Sequence, residues 1–211
     1  HWIQNGSCLR TNKTLTKFSQ KELIKKESDF GAKNYFPLPV VLSKGDGVWL
    51  WDTEGNKYLD MMSAYSAVSH GHCHPELLKV LHRQSEVLGI TSRAFYTDTL
   101  GAFLEKLVNI SGLDIALPMN TGAEAVETAI KAARRWAYKT KKVEANKAEI
   151  IVAKGNFHGR TTTIISFSTD EQSKEDFGPY TPGFVSIKYG CIESLKEAIT
   201  KNTAAFLVEP I

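Results

Sequence analysis

From about residue 75 onward, the sequence alternates amphipathic helical segments with short apolar segments, and this alternation constrains the fold more than any other feature. In the longest helical segment, Thr121–Lys139, apolar residues recur every three or four positions. The segment Ile150–Ala153 is continuously apolar, as expected of a strand that is buried on both faces. The alternation therefore predicts an α/β fold in which helices flank a mostly parallel sheet.

Periodicity and turn residues assign the individual segments. We expect helices at Lys17–Ser28, Pro75–Leu88, Leu100–Ile110, Thr121–Lys139 and Ile192–Thr200. We expect strands of the main sheet at Ile115–Met119, Ile150–Ala153, Val185–Tyr189 and Ala204–Val208. Earlier in the chain, turns rich in Gly and Asp separate three short apolar segments, which predicts a small antiparallel meander. Its strands are expected at Val40–Leu42, Val48–Trp51 and Tyr58–Met61.

These segments divide the chain into three parts. Residues 1–26 form an N-terminal arm that we expect to be poorly ordered, because residues 1–21 carry four Lys or Arg residues and no acidic residue. Residues 27–62 hold the meander and an extended segment, Asn34–Pro39, whose two prolines disfavour helix. Residues 63–211 are expected to form part of a large α/β domain that is truncated at its C-terminal end.

Charge and cysteine content exclude several classes of function. The formal net charge is +3, and the first 21 residues contribute +4, so the remaining chain is slightly acidic. We therefore expect no nucleic-acid partner, and no apolar run reaches the roughly 18 residues of a membrane helix. The three widely spaced cysteines, Cys8, Cys73 and Cys191, favour free thiols in a reducing compartment. We expect a cytoplasmic protein, or a mitochondrial-matrix protein if the Lys- and Thr-rich arm is a targeting remnant.

The run Asn120–Glu124 follows an apolar segment and opens the longest predicted helix. The free N–H groups and the dipole at a helix N-terminus bind phosphate, and Gly122 would allow close approach. The same run also fits a capping box, in which Thr121 and Glu124 satisfy the first N–H groups reciprocally. The residues alone leave both interpretations open, but they exclude a Walker loop, because no Gly-Lys-Ser/Thr follows.

The run Phe157–Arg160 lies just after the apolar segment Ile150–Ala153, at an edge of the sheet where ligands commonly bind. A planar ring at Phe157 or His158 could stack on an aromatic cofactor. Arg160 could bind a substrate carboxylate through two charge-assisted hydrogen bonds. A loop with a packed Phe, a surface His and a solvated Arg is about equally compatible with these four residues.

The run His70–His74 contains three histidines and Cys73, a composition that also occurs in metal sites. Gly71 and Pro75 favour a turn that leads into the helix expected at Pro75–Leu88. We therefore interpret the run as a structural turn and predict no metal site. No Gly-x-Ser-x-Gly motif is present in the sequence, which excludes the corresponding class of serine hydrolase.

Eight short runs occur in one order along the chain. They are Asn34–Pro39, Ser63–Val68, Gly71–Pro75, Thr91–Phe95, Met119–Ala125, Gly155–Thr161, Phe177–Pro179 and Val208–Ile211. In this combination they resemble the ornithine aminotransferase family, a class III, fold-type I group of enzymes that use pyridoxal 5'-phosphate. The resemblance covers about residues 27–211 and implies that residues 63–211 are part of a cofactor-binding large domain.

The resemblance implies roles for residues at matching positions. Those that would bind the cofactor phosphate are Thr121, Gly122 and Ala123. Phe157 would stack on the pyridine ring, and His158 would lie beside it.

Three further residues would bind the substrate by the same resemblance. Arg160 would hold the α-carboxylate of L-ornithine, and Tyr35 would lie near the α-amino group. Tyr65 would shape the pocket so that the δ-amine meets the cofactor. The implied reaction transfers the δ-amino group of L-ornithine to 2-oxoglutarate and gives glutamate 5-semialdehyde and glutamate. Members of the family work as homodimers or larger homo-oligomers.

The chain departs from the family pattern in one respect. The family's Schiff-base lysine, and the aspartate that pairs with the pyridine nitrogen, would lie beyond Ile211, so this chain contains no catalytic residue that we can assign. We therefore expect the 211 residues alone to show no transamination. Two alternatives remain: another class III aminotransferase, acting on acetylornithine or 4-aminobutyrate, or a non-catalytic fragment that acts as a binding module.

Overall fold

A computed structural model describes residues 18–210, which form two compact units. The first unit ends at Phe95 and the second begins at Tyr96. The first 17 residues of the expected arm lie outside the described residues, as does Cys8. No helix within residues 18–210 is long and apolar enough to cross a membrane.

The first unit contains the predicted meander between two helices. Its elements are α1 (Gln20–Phe30), β1 (Leu42–Asp46), β2 (Trp49–Asp52), β3 (Lys57–Leu59) and α2 (Pro75–Ser85). The strands pair antiparallel in the order β1-β2-β3, which confirms the meander. Helix α1 begins later than predicted because Ser19 caps it together with Glu22 in a capping box.

The turn between β2 and β3 is organised by Asp52, a nearly fully buried carboxylate with 4% exposure. One oxygen, Oδ1, accepts hydrogen bonds from the backbone N–H groups of Glu54 and Asn56 at 2.9 and 2.8 Å. The other, Oδ2, accepts from the Asn56 amide at 2.9 Å and the Tyr58 hydroxyl at 2.8 Å. Burial alone would raise the pKa of Asp52, but these four hydrogen bonds outweigh it and lower the pKa to about 2.

The second unit alternates helices with the strands of a parallel sheet. Its elements are α3 (Leu100–Ser111), α4 (Gly122–Lys139), β4 (Glu149–Ala153), α5 (Thr162–Ile165), β5 (Phe184–Ile187), α6 (Ile192–Ala198) and β6 (Thr203–Leu207), with a 3-10 turn at Glu171–Ser173. The strand order is β5-β4-β6, with both pairs parallel. A parallel sheet flanked by helices confirms the predicted fold class.

The hydrophobic core of the second unit lies between β4 and the helices α4 and α5. Its buried residues are Ile130, Ile150, Val152, Ile164 and Phe167. Because β4 is the central strand, its carboxyl end at Ala153 delivers the following loop to the edge of the sheet where the ends of β5 and β6 also lie.

Among the described residues, one predicted strand is absent, and two short elements are present that were not predicted. The segment Ile115–Met119 pairs with no strand among the described residues, and Ile115 and Leu117 are 84% and 70% exposed. Its apolar character favoured a strand, but a strand also needs a pairing partner, and neither sheet within residues 18–210 includes this segment. The unpredicted elements are α5 and the 3-10 turn, which are too short to show a helical period.

We predict that Asp52→Asn destabilises the meander at neutral pH, because an amide cannot replace an ionised carboxylate that accepts four hydrogen bonds. The pKa of Asp52 is lowered from 3.8 to about 2, so its contribution to stability is complete above pH 3.8 and is lost as the pH falls towards 2. Urea denaturation should therefore show the largest difference in unfolding free energy between wild type and variant at about pH 5. This difference should become smaller as the pH falls below 3.8.

Asp46→Asn provides the matched control, since Asp46 is an exposed carboxylate on the neighbouring strand. The control should leave stability unchanged across the same pH range. A difference for Asp52→Asn that does not depend on pH would contradict the assignment of this stabilisation to the ionised carboxylate.

Candidate functional site

Helix α4 begins with a complete capping box. The Thr121 hydroxyl accepts a hydrogen bond from the backbone N–H of Glu124 at 3.1 Å. In return, Glu124 Oε2 accepts from the backbone N–H groups of Asn120 and Thr121 at 2.9 and 3.2 Å. The capping interpretation of this run is therefore confirmed.

The capping box leaves two N–H groups available at the start of α4. Within residues 18–210, the N–H groups of Gly122 and Ala123 meet no acceptor. The space where a Gly122 side chain would lie is open, since a Cβ built there meets no atom within 4 Å. Two free donors at the positive end of an 18-residue helix fit a phosphate group.

The loop after β4 packs directly against this helix start. A Cβ built on Gly159 would lie 3.2 Å from the Cβ of Ala123 and 2.9 Å from Cδ1 of Ile164. Gly159 also has a φ of +126°, which residues with a Cβ rarely adopt. A glycine at this position thus allows the two sequence motifs to meet.

A short hydrogen bond fixes the end of the loop to α4. The Thr161 hydroxyl donates to Glu127 Oε1 at 2.5 Å, and its oxygen accepts from the backbone N–H of Ile164 at 3.3 Å. Thr161 therefore caps α5 while it ties the loop to the second turn of α4. Glu127 was not among the predicted site residues, although its position four residues after Ala123 places both on one face of the helix.

The beginning of the loop is fixed to the segment that follows α5. The Gly155 N–H donates to the Thr169 hydroxyl at 2.8 Å. The Asn156 amide donates to the carbonyls of Ala153 and Phe167 at 2.6 and 3.2 Å. The loop is thus held at both ends, which limits how far its central residues can move.

The two rings in the loop have different environments. Phe157 is 62% exposed, so its ring is accessible for stacking. His158 is half-buried, and its ring centroid lies 5.9 Å from that of Phe167. Burial lowers the pKa of His158, and the carboxylate of Glu209 opposes this shift only in part. The Nε2 atom of His158 is buried and has no hydrogen-bond partner among residues 18–210.

Arg160 is exposed and lies between Gly159 and Thr161, both of which are fixed against α4. Its guanidinium can bind a planar carboxylate through two parallel hydrogen bonds. The second unit therefore places two N–H donors at a helix start, an exposed ring and an exposed guanidinium on two segments in direct contact. Such a set fits a phosphorylated aromatic cofactor and a carboxylate-bearing substrate.

The remaining predicted substrate residues belong to the first unit. Tyr35 is 60% exposed in the extended segment Asn34–Pro39, which has no regular secondary structure, as its prolines predicted. Tyr65 is 87% exposed and lies in the segment Ser63–Ser66, whose four residues all have positive φ.

The histidine run leads into α2, as the sequence predicted. His74 precedes the helix, and Pro75 is its first residue. The ring of His72 contacts Asp60, with 2.7 Å between Nε2 and Oδ2. Within residues 18–210, no group of three or more His, Cys, Asp or Glu side chains could hold a metal ion.

Comparison with known proteins shows which family this chain matches. Residues 30–211 match the family model described as Aminotransferase class-III. The chain is 61% identical over 189 residues to an ornithine aminotransferase of Brevibacillus brevis, and 58% identical over 190 residues to one of a Geobacillus species. Each alignment covers 90% of this chain but 47% and 48% of the respective relative, so the chain spans about half their length.

Two solved aminotransferase structures are also similar to this chain. The ornithine aminotransferase of Toxoplasma gondii has a TM-score of 0.90 at 42% identity, over 92% of this chain and 46% of that one. The acetylornithine aminotransferase of Elizabethkingia anophelis has a TM-score of 0.79 at 52% identity, over 93% of this chain and 48% of that one.

We predict that Gly159→Ala destabilises the protein more than Gly155→Ala does. Both glycines have positive φ, but only the added methyl at position 159 overlaps Ile164 and Ala123. Overpacking of this kind costs about 1–3 kcal/mol, and urea denaturation of the two variants measures the difference. Equal destabilisation would show that the contact between the loop and α4 is looser than the structure indicates.

We also predict an energetic coupling between Thr161 and Glu127. Thr161→Val removes the donor of this hydrogen bond, and Glu127→Gln replaces its charged acceptor with a neutral one. A double-mutant cycle should therefore give a coupling of about 1–2 kcal/mol in unfolding free energy. Thr162→Val, which removes an exposed hydroxyl one residue later, should show no coupling to Glu127→Gln. An additive result for the first pair would contradict the role of this bond.

Proposed function

This chain belongs to the class III aminotransferase family, and we propose that the whole protein transfers the δ-amino group of L-ornithine to 2-oxoglutarate. The products are glutamate and glutamate 5-semialdehyde, which cyclises to pyrroline-5-carboxylate. The observation that carries the proposal is the packing of Gly159 against Ala123, because it joins the anion-binding helix start to the loop that bears Phe157 and Arg160.

The family uses pyridoxal 5'-phosphate, and the second unit fits this cofactor. The N–H groups of Gly122 and Ala123 would donate to the phosphate, and the Thr121 hydroxyl can donate while it accepts from Glu124. Phe157 would cover one face of the pyridine ring. When bound, the cofactor withdraws electrons from the carbon next to the transferred nitrogen. Because the pKa of His158 is lowered, its imidazole is neutral at neutral pH and adds no positive charge next to the cofactor ring.

Substrate binding is assigned to three side chains. Arg160 would hold the α-carboxylate, because guanidinium and carboxylate match as a two-pronged pair. Tyr35 would lie near the α-amino group, and Tyr65 would limit the pocket around the substrate chain. With the α-carboxylate held in this way, the distal amine of a substrate of the right length is the group directed to the reacting centre.

N-acetylornithine transamination is the second candidate function, because the acetylornithine aminotransferase of E. anophelis is 52% identical to this chain. The two substrates differ at the α-nitrogen, which is charged in ornithine and acylated in N-acetylornithine. The higher identities of 61% and 58% to curated ornithine aminotransferases favour L-ornithine.

The test compares the kcat/KM of the whole protein, saturated with pyridoxal 5'-phosphate, for L-ornithine, N-acetylornithine and 4-aminobutyrate. We expect L-ornithine to be preferred, with pyrroline-5-carboxylate as the detected product. Preference for N-acetylornithine would replace the proposed substrate with the second candidate. Failure to transaminate any of the three amines would overturn the proposed function.

We predict that Arg160→Ala raises the KM for L-ornithine by roughly 10- to 100-fold, the range expected for loss of hydrogen bonds to a charged group. Arg160→Lys should fall between this variant and wild type, because an ammonium keeps the charge but loses the two-pronged geometry. Arg135→Ala, which removes an exposed arginine from α4, is the control and should leave the KM unchanged. A KM for Arg160→Ala equal to that of wild type would contradict the carboxylate-binding role.

A further inference from the structure

The segment Ser63–Ser66 is a left-handed turn made entirely of residues that have a side chain. The four consecutive φ angles are 51°, 45°, 55° and 71°. Residues with a Cβ normally visit this region singly, because the Cβ then crowds the following carbonyl oxygen. Four in succession persist only where the surroundings hold them, and such strained segments cluster at functional sites. Tyr65, the third residue of the turn, is 87% exposed.

Hydrogen bonds close the turn from within. The Tyr65 N–H donates to the carbonyl of Met62 at 3.0 Å, and the Val68 N–H donates to the carbonyl of Ser63 at 3.1 Å. The Ser63 hydroxyl donates to the carbonyl of Val68 at 3.2 Å. These bonds join residues within six positions of one another, so they do not by themselves select the left-handed form over other turns.

Asp60 fixes the entry to the turn. Its Oδ1 accepts hydrogen bonds from the N–H groups of Met62 at 3.0 Å and Ser63 at 2.8 Å. Its Oδ2 lies 2.7 Å from Nε2 of His72, which donates to the carboxylate. The side chains of Asp60 and His72 are only 9% and 22% exposed. The hydrogen bond with His72, followed by that from Ser63, lowers the pKa of Asp60 and keeps it ionised.

His72 is itself held by the hairpin of β1 and β2. It forms a two-way backbone bridge with Gly47, with N–O distances of 2.8 and 3.0 Å. A Cβ on Gly45 would lie 2.7 Å from the Cβ of His72, and one on Gly71 would lie 3.1 Å from the Cα of Gly47. Two glycines thus allow the hairpin to close around the histidine. The imidazole therefore reaches Asp60 from a backbone that has little freedom to shift.

We propose that Asp60 and His72 are positioning residues that hold the Ser63–Ser66 turn in its left-handed form and thereby direct Tyr65 to the substrate. This inference rests on the proposed function, which gives Tyr65 its role in shaping the substrate pocket. The backbone dihedral angles of a residue set the direction of its Cα–Cβ bond. If the turn opens to a more extended backbone, the phenol of Tyr65 leaves its position even though no substrate-contacting residue has changed.

The test uses three variants of the whole protein. His72→Leu removes the donor to Asp60, and His72→Gln restores an N–H at nearly the same place. His70→Gln is the matched control, because it makes the same kind of change two residues earlier at an exposed side chain. The first readout is chymotryptic cleavage of the Tyr65–Ser66 bond, followed by mass spectrometry, since proteases cleave extended rather than tightly turned backbone. The second readout is the separate measurement of KM and kcat for L-ornithine.

His72→Leu should accelerate cleavage after Tyr65 and raise the KM for L-ornithine about tenfold with a smaller change in kcat, as expected for loss of one hydrogen bond to a charged group. His72→Gln should recover both values, and His70→Gln should alter neither. Wild-type cleavage rates in His72→Leu, or a fall in kcat at constant KM, would overturn the inference. If the wild-type protein does not act on L-ornithine at all, the proposed function fails, whereas the cleavage readout still decides whether His72 holds the turn.

Discussion

The burial of β4 from Ile150 to Ala153 is the constraint on which the rest of the second unit depends. Its residues from Ile150 to Ala153 are at most 3% exposed, so every backbone group on this strand needs a partner, and both faces need cover. Strands β5 and β6 supply the pairing, and α4 packs against β4. After the carboxyl end of β4, the chain forms the loop and then contributes Ile164 and Phe167 to the same core. A loop with both ends fixed in one core can present Arg160 with little conformational freedom.

The start of α4 shows why two interpretations of one motif need not compete. A capping box satisfies the N–H groups of Asn120, Thr121 and Glu124, which stabilises the helix start. It leaves the N–H groups of Gly122 and Ala123 free among the described residues, and the helix dipole adds to their attraction for an anion. The cap therefore orders the backbone that would bind a phosphate.

Local patterns predicted the fold class, the meander, the capping box and most of the helices, because each depends on residues that are close in sequence. The prediction failed at Ile115–Met119, since apolar character cannot reveal whether a pairing partner exists. It also missed contacts across long sequence separations: Thr161 meets Glu127 across 34 residues, and His72 meets Asp60 across 12. Both contacts join ordinary polar residues that carry no periodic signal. Only the folded backbone brings such pairs together.

The two units differ in how they would fix functional side chains. In the second unit, the residues assigned to the cofactor lie at a helix start and on a loop whose two ends are fixed by hydrogen bonds to neighbouring segments. In the first unit, Tyr35 and Tyr65 lie on irregular backbone, and Tyr65 depends on side-chain hydrogen bonds to a strained turn. Relatives named as ornithine aminotransferase and acetylornithine aminotransferase share the family but differ in the substrate that they are named for. Irregular segments held by a few side chains can change without disturbing a sheet, so under the proposed function the first unit would be the more adaptable source of substrate preference.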